Sequence, residues 1–274
     1  MLNLFLQADS TCKRTVGSNP TLSARQPGGM GMYRGWLATI AAIALLAPGA
    51  ALAGPCEDKA AWAAAAQPEI EKAFALMKAQ DKPGFAALLP ILQKRYALLP
   101  ATMPAPERCG AEVRVYDEHQ YLAYADAARA GRAIDGFPAG SNFVLTNLHY
   151  ADLAYAVGWI QYEMEDYAAA KASYAKGLAI APNQHDLTKE YVATLLSLSA
   201  YGEMAPFIDK FLAGDRDMDG PGRANLIAAK GIGFVALGDM PGAANAANQA
   251  KALDPNNEYA SLVLNLVAQK QKAN

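Results

Sequence analysis

Asp215, Asp217, Asp219 and Gly220 spell D-x-D-x-D-G, the opening half of a calcium-binding loop. Carboxylates on alternate residues, followed by glycine at a sharp turn, offer hard oxygen ligands to a hard cation. The second half of the loop departs from that pattern. Pro221 and Arg223 fill its seventh and ninth positions, and Leu226 stands at the twelfth, where a bidentate glutamate would complete the shell. Calcium binding here needs a further carboxylate from elsewhere in the fold. The alternative is an acidic, solvated loop with Asp219 near a helix start. His119, His149 and His185 are isolated, with no metal-ligating partner at helical spacing. Glu112 with Asp117 and Glu118, and Glu163 with Glu165 and Asp166, supply carboxylates in the manner of solvated helix faces. No serine nucleophile elbow, phosphate loop or HExxH motif is present, and the expectation is a protein that is not an enzyme.

The elements that must position these residues are read from a repeat. The windows Ala151 to Gln184 and Ala224 to Asn257 are each 34 residues long and match at fixed positions: Gly158 with Gly231, Asp166 with Asp239, Ala170 with Ala243, Ile180 with Leu253, and Pro182 with Pro255. Small residues at these positions let two helices approach closely, and each proline closes the second helix of its unit. Tyr167 and Tyr174 lie two helical turns apart and share a face. The period and the small-large-small pattern resemble the tetratricopeptide repeat family. Position 4, an aromatic in the family, is Ala154 in one window and Ile227 in the other, and Ala247 replaces a bulky residue.

The resemblance implies an all-α, tetratricopeptide-like helical hairpin solenoid, with its repeats and their cap over residues 151–274. Between the clear repeats 151–184 and 224–257, residues 188–223 form a degenerate unit. Matching Tyr201 to Met204 with Leu237 to Met240 puts Leu195 at the glycine position and Phe207 at the alanine position. Residues 258–271 are amphipathic and are expected to cap the last repeat. The resemblance also implies a concave groove lined, in the first repeat, by Asp152, Tyr155, Trp159, Tyr162 and Glu163. Rings with carboxylates at their edges suit a protein or peptide partner. Alternatively, the rings pack on a preceding helix around Asn142 to Tyr150. The corresponding residues of the last repeat, Asn225, Ala228, Ile232, Val235 and Ala236, are mostly small and apolar, so that end of the groove is expected to be covered.

Residues 54–150 are expected to form an N-terminal helical region. Helices are predicted over Pro68 to Gln80 and Pro83 to Leu98, around the turn signal Asp81-Lys82-Pro83-Gly84, and over Asp117 to Ala130. A short strand over Glu112 to Tyr116 is the exception. The irregular stretch Gly131 to Asn142 and the proline-rich Pro100 to Glu112 are the long connections.

Residues 32–53 have the form of a secretory signal peptide: Arg34, an apolar run from Trp36 to Leu46, and a small-x-small site at Ala51-Leu52-Ala53. The apolar run is about ten residues, against the roughly twenty that a membrane span needs, so no stable membrane insertion is expected. Cys56 raises the rival reading of a lipoprotein, but Pro55 separates it from the small residue that a lipobox places directly before its cysteine. Residues 1–31 are expected to be an upstream extension. Val16 to Ala24 can be encoded by a sequence containing GGTTCGAATCC, the T-arm of a transfer RNA gene, which points to in-frame read-through.

Removing residues 1–53 takes away four basic residues and one acidic residue and leaves a net charge near −5. Such a balance carries no basic footprint for nucleic acid. It also leaves Cys56 and Cys109 as an isolated pair, expected as a disulfide in an oxidising compartment. The expectation is an exported, periplasmic scaffold or adaptor that binds a protein or peptide and needs no cofactor apart from the calcium considered above. The alternative is a binder of small molecules or cell-wall fragments that uses the aromatic residues as a pocket.

Overall fold

The computed structural model describes residues 55–215 and 217–273. The expected upstream extension and signal peptide lie outside the described residues. The described chain is 71 % helical, with ten packed helices and a three-stranded sheet. No helix in it is long and apolar enough to cross a membrane.

Four helical hairpins share one turn. They are α1 (Pro55–Ala79) with α2 (Lys82–Tyr96), α4 (Tyr150–Glu163) with α5 (Tyr167–Ile180), α6 (His185–Ser197) with α7 (Tyr201–Gly214), and α8 (Gly220–Leu237) with α9 (Met240–Leu253). Each first helix ends on a residue with positive φ: Gln80, Glu165, Ser199 or Gly238. The next residue returns its backbone N–H to a carbonyl five positions back: Asp81 to Leu76, Asp166 to Gln161, Ala200 to Leu195, Asp239 to Phe234. This is a Schellman closure, which satisfies carbonyls left over at a helix end. Asp81, Asp166 and Asp239 also start the second helix, accepting from the N–H groups of Gly84, Ala169 and Gly242. One carboxylate thus follows the end of one helix and caps the next.

The shared turn fixes the register. Ser199 aligns with Gly238, so Val192 takes the glycine position of the third hairpin and Met204 the alanine position, both buried. This corrects the register that placed Leu195 and Phe207 there. The likeness of Tyr201–Met204 to Leu237–Met240 is three residues out of step with the turn.

The hairpins pack in sequence. The helices within each pair touch, and the leading helices α4, α6 and α8 touch one another in turn. Helix α10 (Glu258–Ala273) packs on both α8 and α9. Between α8 and α9 the approach is close, because the buried positions of α9 are all alanine: Ala243, Ala246, Ala247 and Ala250. Helix α4 also lies against α1 and α2, and Leu153, Val157 and Ile160 join Ile70, Phe85, Leu88 and Leu92 in one buried cluster.

Between α2 and α4 the chain leaves this arrangement, and here the all-α expectation is corrected. Strands β1 (Glu107–Cys109) and β2 (Glu112–Val115) pair antiparallel around Gly110 at φ +66°, and β3 (Asn142–Leu145) joins β2 in parallel after the crossover helix α3 (Glu118–Arg129). A parallel pair requires such a crossover. The sheet order is β1-β2-β3. The expected strand at 112–116 is therefore β2. The helix expected around Asn142 to Tyr150 is instead β3 followed by a loop. Helix α1 also begins earlier than expected and runs through Pro68, which removes only one intrahelical hydrogen bond on an exposed face.

Candidate partner-binding site

The face of α4 that could meet a partner is built around Gly158. A Cβ there would lie 2.6 Å from Cε1 and 2.9 Å from Cζ of Tyr174, so the missing side chain is what lets the Tyr174 ring of α5 cross α4. Tyr155 and Tyr162 stand one turn to either side. The Tyr155 ring is 6.3 Å from that of Tyr174, and Tyr162 meets Tyr167 edge-on at 5.0 Å. Tyr167 and Tyr174 do share a face of α5, the one turned to α4.

The expected groove residues divide between two neighbours. Tyr155 lies 6.1 Å from Phe74 of α1, and Trp159 meets Phe85 of α2 edge-on at 5.3 Å, so both are half-buried against the first hairpin. These upstream helices supply ring partners for both, and Trp159 also packs on the core cluster that holds Leu148 and Tyr150. Tyr162 is buried and hydrogen-bonds Ser197 of α6 at 2.7 Å; Ser197 donates in turn to the Ala193 carbonyl. Asp152 pairs with His149 Nδ1 at 3.0 Å, and Glu163 is half-buried at the end of the stripe. The equivalent residues of α8 are only partly covered: Ala228 is buried, Asn225, Ile232 and Val235 are half-buried and Ala236 is exposed, and the Asn225 side chain accepts from Asn257, which stands ahead of α10.

Burial raises the pKa of the Tyr162 hydroxyl, the Ser197 hydrogen bond opposes the rise, and the charges of Tyr167, Glu190 and Glu163 add to it. Tyr174 is pushed well above the ordinary range by complete burial, with Glu190, Tyr155, Tyr162 and Glu163 reinforcing the effect. Two carboxylates therefore act on the same pair of phenols. Tyr191 and Glu190 were not singled out from the sequence, and Tyr174 was read only as sharing a helix face with Tyr167. The two-turn spacing of Tyr167 and Tyr174 was the available signal for Tyr174; Glu190 and Tyr191 come from the next hairpin, and no local spacing marks them.

The acidic loop spreads its three carboxylates. Asp215 is buried and accepts from His185 Nε2 at 2.8 Å and from the Met218 N–H at 3.0 Å, with Arg223 Nη1 3.5 Å away. Burial works against its charge, but His185, the Met218 N–H and Arg223 outweigh that and hold its pKa below the usual carboxylate value. Asp217 pairs with His119 at 3.1 Å, tying α3 to this loop. Asp219 caps α8 by accepting from the Gly222 N–H. Each of the three histidines thus sits against an aspartate, and His149 with Asp152, three residues on, corrects the reading of that histidine as having no partner at helical spacing.

Cys56 and Cys109 form a disulfide, with Cα atoms 6.0 Å apart, that fastens α1 to β1. Around it, Glu107 accepts from Lys59 at 2.7 Å and from Tyr116, and Arg114 donates to the Cys56 carbonyl at 2.9 Å. Among the described residues, the only group of three potential metal ligands drawn together is Cys56, Glu107 and Cys109, and its two sulfurs are bonded to each other. On the sheet, Tyr124 packs with Phe137 and Phe143, and its hydroxyl bonds Asp135 at 2.6 Å. Burial, that bond and the Asp135 charge push its pKa up to about 12.

No family model, no curated protein and no solved structure matches this chain.

Proposed function

We propose that the chain is an exported, tetratricopeptide-like scaffold that holds a protein or peptide partner in the bacterial periplasm. The observation that carries this reading is the fourfold recurrence of the α-hairpin turn, together with the leading helices α4, α6 and α8 lying side by side. Stacked hairpins produce a long surface rather than a closed pocket, and such surfaces serve for binding extended partners. The disulfide fits an oxidising compartment and agrees with the signal peptide expected over residues 32–53. The binding face is assigned to α4, at Asp152, Tyr155, Trp159, Tyr162 and Glu163. Because Tyr155 and Trp159 also brace the first hairpin, the reading is tested at Glu163. The tagged protein is recovered from its own cells after mild crosslinking, alongside a Glu163→Lys variant whose circular dichroism matches wild type. A protein recovered with wild type and lost with the variant supports the reading. Equal recovery, or none, favours a small ligand such as a cell-wall fragment.

A further inference from the structure

Among the described residues, the Tyr174 hydroxyl is the buried side-chain polar atom that has no hydrogen-bond partner. Buried polar groups are nearly always paired, so an orphan marks a place where something is missing. Its location is set by Gly158. With Cζ packed over that glycine, the hydroxyl end of the ring crosses α4 between Tyr155 and Tyr162. Tyr191 of α6 packs on the same cluster, and Glu163 and Glu190 bring negative charge to it. Lys171 and Lys189, on the flanking helices, are engaged with Glu203 and Asp186.

We propose that the aromatic cluster between α4 and α6, around the unpaired Tyr174 hydroxyl, receives a cationic side chain, arginine or lysine, from an extended segment of the partner. The inference rests on the scaffold reading given above and narrows its partner to a basic one. Aromatic faces attract a cation through their quadrupoles. The carboxylates supply complementary charge, and the Tyr174 oxygen supplies lone pairs for an incoming N–H. An apolar side chain would leave the hydroxyl unpaired, and an anionic one would be repelled. Tyr155, half-buried, lies beside the site with its ring 6.3 Å from that of Tyr174. The acidic balance of residues 54–274 favours the same class of partner.

The test is fluorescence anisotropy with labelled peptides alternating alanine with arginine, with glutamine or with glutamate, titrated with wild type, Tyr174→Phe and Glu163→Gln. Removing a buried unpaired hydroxyl leaves thermal stability unchanged or higher, so a purely structural Tyr174 predicts no binding change in the phenylalanine variant. The expected result is preference for the arginine peptide, weakened about tenfold by Tyr174→Phe, as loss of a hydrogen bond to a charged group does, and weakened also by the surface variant Glu163→Gln. Equal binding of the arginine and glutamine peptides, or wild-type affinity in both variants, overturns the proposal. A partner recovered by crosslinking alongside indifference to arginine removes the cation site and leaves the scaffold reading standing.

Discussion

Replacing Gly158 by alanine sets two effects of known sign against each other. Alanine in a helix interior gains about 1 kcal/mol over glycine. Against this, the new Cβ would stand 2.6, 2.8 and 2.9 Å from three atoms of the Tyr174 ring, which is fully buried and has no flexible end to yield. Forcing extra volume into a packed interior costs about 1–3 kcal/mol, and contacts this short belong at the upper end. The net expectation is a loss of about 2 kcal/mol, or a Tm lower by about 4–8 °C for a chain of this size. Two other glycines calibrate the estimate. At Gly231 the nearest atom is a Val263 methyl at 3.2 Å, so strain and helix gain should roughly cancel. At Gly202, in α7, nothing lies within 4 Å, and alanine should stabilise by up to about 1 kcal/mol. Thermal and urea denaturation of the three variants should rank them Gly202→Ala, Gly231→Ala, Gly158→Ala, from most to least stable. A Gly158→Ala protein as stable as wild type would refute the close crossing of Tyr174 over α4.

The Cys56–Cys109 bond closes a separation of 53 residues, and its loss by Cys→Ser replacement should cost up to about 4 kcal/mol in the chain-entropy model; titration of the unfolded, unreduced protein should find neither thiol free, and finding two would contradict the bond. Asp215 has a depressed folded pKa, so its contribution to stability is full above the ordinary carboxyl value of 3.8 and is lost as pH falls through the lower folded value; acid unfolding of wild type should be steeper there than that of Asp215→Asn. Asp215→Ala should destabilise by about 1–3 kcal/mol at neutral pH, because it removes a buried hydrogen-bonding partner from the Met218 N–H and from the partly exposed His185 and Arg223. With Asp215, Asp217 and Asp219 engaged by His185, His119 and the Gly222 N–H, calorimetry should detect no heat at millimolar calcium, and a saturating heat would show that the loop rearranges to bind the ion.

The parts of the fold written in local spacing were legible. Asp166 and Asp239 mark the turns, and Gly158 and Gly231 mark the helix crossings. The same signal lay in the first hairpin, where Asp81-Lys82-Pro83-Gly84 repeats the D-x-P-G of Asp239-Met240-Pro241-Gly242, although the helices before it lack the glycine. The third hairpin misled because its turn residue is Ser199: a left-handed serine looks like any other in sequence, whereas Gly238 announces the conformation. The sheet was only partly visible, since β1 and β3 have three and four residues, and β3 takes its identity from pairing with β2 across a long connection. At the site, Asp152 to Glu163 were found as one stripe, but sequence spacing cannot reveal that Tyr155 and Trp159 lean on Phe74 and Phe85, or that Glu190 and Tyr191 arrive from α6. Those are contacts between hairpins, fixed by how the units stack.

The central claim, that the α4 face holds a protein, is most directly tested by photo-crosslinking in the native cells, with a photoreactive residue at Asp152 or Glu163 and, for comparison, at the exposed positions Ala168 of α5 and Gln249 of α9. The account predicts that one protein is captured from the α4 positions and not from the outer ones. Capture of the same protein from Ala168 and Gln249, with none from Asp152 or Glu163, would contradict it.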